Sequence, residues 1–378
     1  VQTIGGDTLL VNGIAPNAPV QQITKPAGSH SLNWNATASY NKFHGGSDVA
    51  LINQSESLSG ASNNDFTWTR QVTAFNVTTD YLDVLRTNEL VDAADSTLAE
   101  GLAQLRLVQG QYDAGVVPIG QVYQQKAVVG QDSLALIQAI NNYQNAKTNI
   151  LFLLNVPPND YSNYNFNVEG IDTSTSPAVR AAVDTTITDA QLNDVIDKRA
   201  DILAQQQNIQ AALFKIDITR GALLPSLDAS AGISGAGTGQ SLTGIQMNNG
   251  LSVGLTLSVP IFDQFQNELA IEEQEVDAEN ERITLEQNVQ QLRSDAAQAI
   301  NNLKASDLAI DAGQSALTSA DESFRLAAER FRVGAGTEVD VIIAEGALEV
   351  ARANWVNAKY NWVLAQRQLA YTLGQWNY

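Results

Sequence analysis

The chain of 378 residues contains an internal duplication, which limits its fold to two copies of one architecture. The stretch LRLVQGQYDAGVVPIGQV at 105–122 aligns with FRLAAERFRVGAGTEVDV at 324–341, at a constant offset of 219 in the numbering. This offset places Gly115 on Gly334 and continues without a gap to Leu154. Few residues are identical, but the order of small, apolar and polar positions agrees. We therefore interpret the chain as a repeat rather than as two unrelated domains.

The two copies differ in length near their start. SLNWNATASY at 31–40 matches SLDASAGISG at 226–235 at an offset of 195 rather than 219, so the first copy is shorter by the difference, 24. We place this deficit near residues 45–66, and divergence of the first copy or loss of a segment both account for it. The predicted parts are an irregular N-terminal segment, a first repeat, a linker and a second repeat, at 1–30, 31–155, 156–188 and 189–378.

Each repeat is predicted to contain a pair of long helices. Residues 263–332 hold no proline, and their apolar residues recur at mixed spacings of three to seven, which is typical of a helix. At 1.5 Å per residue this helix is about 100 Å long, so we expect it to belong to an extended assembly. RVGAGT at 332–337 breaks the helix with two glycines, and a second helix follows to about Leu373. The first copy breaks at the equivalent AGVVPIG, 114–120.

Each repeat is also predicted to contain two strands, which in the second repeat follow a helical segment at 189–225. GLSVGLTLSV at 250–259 alternates throughout, with Leu and Val on one face and Ser, Gly and Thr on the other, and 226–235 alternates in the same way. A half-buried soluble sheet alternates too, but strands of ~10 residues with a small polar face are typical of transmembrane barrels. We expect loops at 42–49 and 235–249. Four strands cannot close a barrel and open edges are unstable in lipid, so several chains are expected to contribute.

Composition excludes several classes of function. The chain has no cysteine, and its two histidines, His30 and His44, lie in polar stretches without a second ligand, so we predict no metal site. A formal charge of −20 repels nucleic acid. The Gly-rich stretch at 232–240 lacks the ending of a phosphate loop. We therefore predict no catalytic site, no cofactor and no enzyme activity. The first residues from Val1 show no signal-peptide pattern, as expected of a mature or a cytosolic chain.

The helix–turn–helix ERFRVGAGTEVDVIIAEGALEVARANWVNAKYNWVLAQRQLAYTLG at 329–374 resembles the tip segment and final helix of the TolC family of outer-membrane efflux and secretion ducts. Its counterpart at 109–155 fits as well, as do GALLPSLDASAGIS at 221–234 and LTLSVPIFD at 255–263. The resemblance implies a mostly α fold with β, made of duplicated strand–strand and long-helix repeats. It further implies a trimer that forms a 12-stranded transmembrane β-barrel continuous with a periplasmic α-helical barrel.

The resemblance also implies where the protein acts and with which partners. We expect a homotrimer in the outer membrane of a Gram-negative-type bacterium, in contact with outer-membrane lipid and extending into the periplasm. Its helical tips would meet a periplasmic adaptor protein, which couples the duct to an inner-membrane transporter. The assembly would be a tripartite efflux pump or a type I secretion system, and solutes or proteins would pass through the duct unchanged.

The resemblance assigns candidate residues at the periplasmic constriction by position. Asp340 matches a family carboxylate that rings the constriction, and the alternative is a solvated acid that favours a helix N-terminus. Ile343 and Gln121 stand where the family has acidic residues, so we expect a partly apolar ring that gates by dewetting. Gly336 and Phe331 replace an arginine and a tyrosine of the family's closing network, so a closed state held by those polar links is not expected.

Four residues at the two turns are candidates for contact with the adaptor: Gly115, Gly334, Gly336 and Thr337. The alternative interpretation is turn chemistry alone, since glycine allows a positive φ and threonine caps the helix that follows. Both interpretations are compatible with each other.

A soluble, elongated coiled-coil scaffolding protein is the alternative function. Leu348, Trp355 and Trp362 recur at a spacing of seven, which is the period of coiled-coil packing. In that case the strands would form a small soluble sheet. Recovery from the outer membrane as a detergent-soluble trimer distinguishes the duct from a soluble monomer.

Overall fold

The computed structural model describes residues 8–10, 22–24, 30–166, 174–183, 187–239 and 245–374. The chain divides into two compact units. One unit comprises Val1–Ser57 and Ile209–Asn280, and the other comprises Leu58–Asn208 and Glu281–Tyr378. The first contains the β-structure, and the second consists of helices.

The secondary-structure elements are named in chain order. The strands are β1 (Thr8–Leu10), β2 (Gln22–Thr24), β3 (His30–His44), β4 (Ser226–Gly239) and β5 (Gln246–Ser258). The helices are α1 (Ser47–Asp113), α2 (Ile119–Leu153), α3 (Pro177–Ala181), α4 (Asp189–Lys198), α5 (Ala200–Arg220), α6 (Gln266–Arg332) and α7 (Glu338–Thr372). Two 3-10 helices lie at Pro158–Asn163 and Gly221–Leu223.

The helices repeat along the chain at the offset read from the sequence. The helices α1 and α6 both have 67 residues, and α2 and α7 both have 35 residues. The starts of α6 and α7 follow those of α1 and α2 by the same offset of 219. The ends of the shorter pair also correspond. Asn155 has a φ of 56° and Gly374 a φ of 64°, and both positions follow the last turn of a helix. The duplication therefore extends to the backbone conformation of single residues.

The strand content of the first repeat corrects the expectation of two strands. One long strand, β3, is present, and α1 begins at Ser47, where a loop and a second strand were expected. The segment 240–265 between β4 and α6 includes all of β5, whereas only Gly45 and Gly46 separate β3 from α1. The deficit in the first repeat thus removes the whole second strand and its loop, because two residues cannot span a strand.

The long strands form one antiparallel sheet in the order β3-β4-β5. All three strands are longer than the ~10 residues expected, with 15, 14 and 13 residues. Both β4 and β5 extend into 235–249, which was expected to be a loop. In the first repeat, residues 42–44 belong to β3 and residues 47–49 to α1. The short strands β1 and β2 pair with each other, and the other residues of 1–29 lie outside the described part of the chain.

The linker and the start of the second repeat consist of short capped helices. Ser176 accepts a hydrogen bond from the Val179 amide at the start of α3, and Thr188 forms a capping box with Gln191 at the start of α4. Arg180 holds α3 against α6 through Asp307 at 3.0 Å and Asp311 at 2.6 Å. Residues 167–173 and 184–186 of the linker lie outside the described residues.

The core of the helical unit is a series of apolar clusters along the helices. The largest joins α1, α6 and α7, and its buried residues include Leu85, Leu303, Trp362 and Val363. Ion pairs flank it, such as Lys359–Glu89 between α7 and α1 at 2.8 Å. Of the three residues spaced at seven, Leu348 and Trp362 are each 1% exposed and Trp355 is half-buried. The period of seven therefore marks a helix face that packs within this unit.

Candidate functional site

The two turns between paired helices have the same backbone structure. We call residues 114–118 the first tip and residues 333–337 the second tip. The Val116 amide donates to the Gln111 carbonyl at 2.8 Å, and the Ala335 amide donates to the Arg330 carbonyl at 2.8 Å. Such a bond, from the third residue after a helix back to a carbonyl in its last turn, is that of a Schellman motif, which satisfies the free carbonyls there.

Glycine is required at the left-handed position of each tip. Gly115 and Gly334 both have a φ of 75°, and a Cβ added to either would meet no atom within 4 Å. The backbone conformation, and not a lack of space, therefore selects glycine here. This geometry supports the turn-chemistry interpretation of both residues and leaves their outer surface open.

The helix that follows the second tip begins with a reciprocal cap. Thr337 Oγ1 accepts a hydrogen bond from the Asp340 amide at 3.2 Å, and Asp340 Oδ2 accepts from the Thr337 amide at 3.1 Å and from Thr337 Oγ1 at 2.7 Å. These hydrogen bonds, helped by the charge of Arg330, lower the pKa of the exposed Asp340 carboxyl. Asp340 is therefore a charged cap at the helix N-terminus.

The first tip has no equivalent cap. Its N-cap residue is Pro118, which makes no side-chain hydrogen bond. Gln121 occupies the position of Asp340, is half-buried, and has a buried Oε1 atom without a hydrogen-bond partner. The two tips thus have the same structure where the first helix ends and differ where the second helix begins.

An apolar cluster packs the four helix ends next to the two tips against one another. Val108, Val122, Phe331 and Val341 come from α1, α2, α6 and α7 and are at most 5% exposed. Phe331, where the resembled family has a tyrosine of its closing network, belongs to this core. The four helices therefore end together in one packed structure.

Apolar side chains at the tips point to solvent in the single chain. Val116 is 71% exposed, Val333 is 60% exposed and Ile343 is 66% exposed. Ile343 is the third residue after Asp340, so the two lie on neighbouring positions of one helix face. Gly336 lies against the Arg330 side chain, at 3.1 Å from an added Cβ. The predicted tip and constriction residues are thus gathered at one end of the helical unit.

The sheet has one apolar face and one polar face. Residues that are paired directly across neighbouring strands lie on the same face. Ala229, Ala231 and Ile233 of β4 pair with Leu255, Val253 and Leu251 of β5 and with Tyr40, Ala38 and Ala36 of β3. On β5, Leu251, Val253, Leu255 and Leu257 are between 66% and 78% exposed. The opposite face carries Ser, Gly, Thr and Asn. This exposed apolar face is far larger than scattered surface residues produce.

Four polar side chains that the sequence analysis did not name as candidates are buried in the helical unit. Gln125 of α2 is 0% exposed, Asp132 of α2 is 6% exposed, and Glu338 and Glu345 of α7 are 1% and 3% exposed. A signal for Glu345 existed, because it lies one helical turn from both the buried Val341 and the buried Leu348. Gln125 and Asp132 carried a similar signal, because Gln125 lies between Val122 and Val129 and Asp132 between Val129 and Leu136, at spacings of three and four.

The described residues hold neither a candidate transmembrane helix nor a candidate metal cluster. None of their helices is both long enough and apolar enough to span a bilayer. They also contain no group of three or more His, Asp or Glu side chains arranged to hold a metal ion. His44 lies at 3.5 Å from Asp228 and 3.8 Å from Asp48 at the end of the sheet.

Comparison with known proteins identifies what the chain is similar to. The model of the outer membrane efflux protein family matches residues 16–156 and 192–375. The outer membrane protein TolC of Escherichia coli strain K12 is 24% identical over 333 residues, which are 85% of this chain and 65% of TolC. The chain thus spans just under two thirds of that relative's length.

Solved structures show the same fold. A membrane protein from Pseudomonas aeruginosa superimposes with a TM-score of 0.75 at 17% identity, over 92% of this chain and 83% of that one. The outer membrane protein VceC from Vibrio cholerae superimposes with a TM-score of 0.72 at 17% identity, over 92% of this chain and 87% of that one. At these identities the likeness concerns the fold alone.

Proposed function

Because this chain belongs to the outer membrane efflux protein family, we propose that it is a passive exit channel of the bacterial outer membrane. The observation that carries the proposal is the sheet, whose apolar face is exposed along β5 while its other face is polar. Lipid covers such an apolar face, and water in a pore solvates the polar one. The family is one of channels and not a class of enzymes, so the cargo passes unchanged.

The edges of the sheet support assembly from several chains. In the single chain, β3 and β5 each have one side without a neighbouring long strand among the described residues. Unpaired backbone N–H and C=O groups are too costly to leave in a bilayer, so other copies pair with these edges. A homotrimer, as in the resembled family, supplies nine long strands from the described residues. The twelve strands expected from the sequence would need a fourth strand from each chain.

The tips are the proposed contact with a periplasmic adaptor protein, which joins the channel to an inner-membrane transporter. Val116 and Val333 are apolar, mostly exposed and placed beside the open outer surfaces of Gly115 and Gly334. Gly336 and Thr337 complete the second tip. Exposed apolar side chains on rigid turns are suited to contact with a protein partner.

The constriction is proposed to lie one turn beyond the tips. Asp340 is charged at neutral pH and, because its pKa is lowered, keeps that charge into acid, while Ile343 extends into solvent from the next turn of α7. In a symmetric assembly each residue forms a ring, with Gln121 contributed from the first tip. The acidic ring attracts cations, and the apolar ring narrows the bore and gates it by dewetting.

Two experiments test the proposal. Membrane fractionation of cells that produce the chain should recover it in the outer membrane as a detergent-soluble trimer, whereas a soluble monomer would favour a scaffolding protein. Gly334→Trp should abolish export and leave trimers intact, because the indole covers the tip surface. Gly334→Ala, which carries the same backbone strain at a φ of 75° without the bulk of the indole, is the matched control and should export normally. Unchanged export by Gly334→Trp would refute the role of the tip.

A further inference from the structure

A pair of buried carboxyl groups lies where α1, α2 and α7 pack together. Asp132 of α2 and Glu345 of α7 are 6% and 3% exposed. They meet above Gly101 of α1, where an added Cβ would lie 2.5 Å from Asp132 Oδ2 and 3.2 Å from Glu345 Oε1. Both oxygens thus surround a single point beside Gly101, so the two carboxyl groups are close neighbours. Because glycine has no side chain, Gly101 leaves room for the two carboxyl groups.

The charged groups around the pair do not neutralise it. Arg352 of α7 is held by Glu100 of α1, which both of its terminal nitrogens bind at 2.8 Å. Asp321 of α6 also acts on Arg352. Glu349 of α7 adds negative charge beside Asp132, and Glu100 and Glu349 do so beside Glu345. Two carboxylates here would repel each other without compensation.

Gln125 gives independent evidence that a ligand belongs between these groups. Its side chain is 0% exposed and lies against both the Gly101 carbonyl and Glu345. Its Nε2 donates to the Gly101 carbonyl at 3.4 Å, and its Oε1 is buried without a partner, as is Asp132 Oδ2. Oxygens of this kind need a hydrogen-bond donor, and a protonated carboxyl supplies one.

We propose that Asp132 and Glu345 form a proton-binding site that holds one proton between them when α1, α2 and α7 are packed. A metal ion fits less well. Ca²⁺ needs about six to eight oxygen ligands, and the described residues offer no group of three acidic side chains arranged around an ion. A proton needs no coordination shell. The site makes the packing of these helices respond to pH.

The direction of the response follows from the pKa values. Burial, and then Glu349, raise the pKa of Asp132 from 3.8 to about 6. Burial, and then Asp132, raise the pKa of Glu345 from 4.5 to about 7. Because the protons are shared, both values belong to the pair. The stabilisation is fully present below the unfolded-state values and is lost as the pH rises through about 6 to 7. The pair therefore contributes most to the stability of the packed helices in acid.

The experiment compares the detergent-solubilised full-length protein with the double variant Asp132→Asn/Glu345→Gln, which keeps the shape of the pair and removes its titration. At pH 6 the wild type should show the infrared C=O band of a protonated carboxyl, about one per chain, and the double variant should lack it. The melting temperature of the wild type should fall between pH 5 and pH 8, and that of the double variant should fall less. Glu349→Gln, exposed and beside the pair, is the control that keeps the band.

Two results would overturn the proposal. One is that the wild type and the double variant show the same infrared spectrum at pH 6, with no protonated-carboxyl band that the substitutions remove. The other is a rise in the melting temperature of the wild type, but not of the double variant, on addition of Ca²⁺, since this identifies a cation site instead.

Discussion

Removal of the cap at the second tip tests how the turn fixes Asp340. In Thr337→Ala, the hydroxyl that accepts from the Asp340 amide at 3.2 Å and donates to Asp340 Oδ2 at 2.7 Å is lost. The hydrogen bond from the Thr337 amide to Asp340 Oδ2 remains possible. Loss of an N-cap threonine costs about 1 kcal/mol. If this cost opens the first turn of α7 locally, the amide of Asp340 exchanges its hydrogen about fivefold faster.

Hydrogen exchange read by mass spectrometry on the detergent-solubilised protein measures this effect at residue level. The internal control is the first turn of α2, where Pro118 makes no side-chain cap and the Gln121 amide donates to the Pro118 carbonyl at 3.1 Å. The reciprocal variant, Pro118→Thr, adds an N–H and a hydroxyl opposite the unpartnered Gln121 Oε1, so exchange there should slow. Unchanged exchange at Asp340 in Thr337→Ala, or equal acceleration at both tips, would refute this account of the cap.

Two further predictions each compare a variant with a control variant on the same strand or helix. Leu255→Arg places a charge on the apolar face of β5, where Leu255 is 75% exposed. Burying this charge in lipid costs about 2–4 kcal/mol, so outer-membrane assembly should be reduced. Thr256→Arg, on the opposite face, should assemble normally, and equal assembly of the two variants would contradict the lipid-facing assignment. Gly101→Ala puts a Cβ 2.5 Å from Asp132 Oδ2 and should lower stability by about 1–3 kcal/mol in thermal unfolding. Gly110→Ala on the same helix meets no atom and should not lower it, so a similar loss in both would rule out the close contact at Gly101.

The long helices could be predicted closely from the sequence because their limits have local causes. The absence of proline predicted a helix over 263–332, and the structure begins α6 at Gln266 and ends it at Arg332. The glycines of RVGAGT predicted the break, and Gly334 has the positive φ that ends the helix. The offset of 219 then transferred the break to the turn between α1 and α2. Local chemistry and duplication together were sufficient for these elements.

The second strand of the first repeat was predicted incorrectly because symmetry was extended across the deficit. The difference between the offsets gave the length of the missing segment but not its structure. The region 45–66 lacks the strict alternation that identifies β5. In the structure α1 already begins at Ser47, immediately after the Gly45–Gly46 turn. A length difference between repeats is therefore best tested against the pattern of the residues that remain.

The buried carboxyl pair could not be predicted because it depends on which helix faces meet. Asp132 and Glu345 lie in different repeats of the chain, and their contact also needs the small residue at Gly101 on a third helix. The helical period places Glu345 on the buried face of α7, but it does not show which carboxyl faces it. Tertiary packing alone creates this site.

The cap also limits how Asp340 can act at the proposed constriction. Its Oδ2 already accepts two hydrogen bonds from Thr337, so that oxygen is turned towards the helix N-terminus and Oδ1 is left for other contacts. The lowered pKa keeps the charge on the carboxylate, so its field extends into the solvent even though one oxygen is occupied. In the proposed trimer, a ring of such residues would attract cations through its charge rather than by replacing their water shells with bidentate carboxylates. Asp340→Asn, which removes the charge and keeps an acceptor for the Thr337 amide, should abolish the cation preference of reconstituted channels while exchange at the tip stays slow.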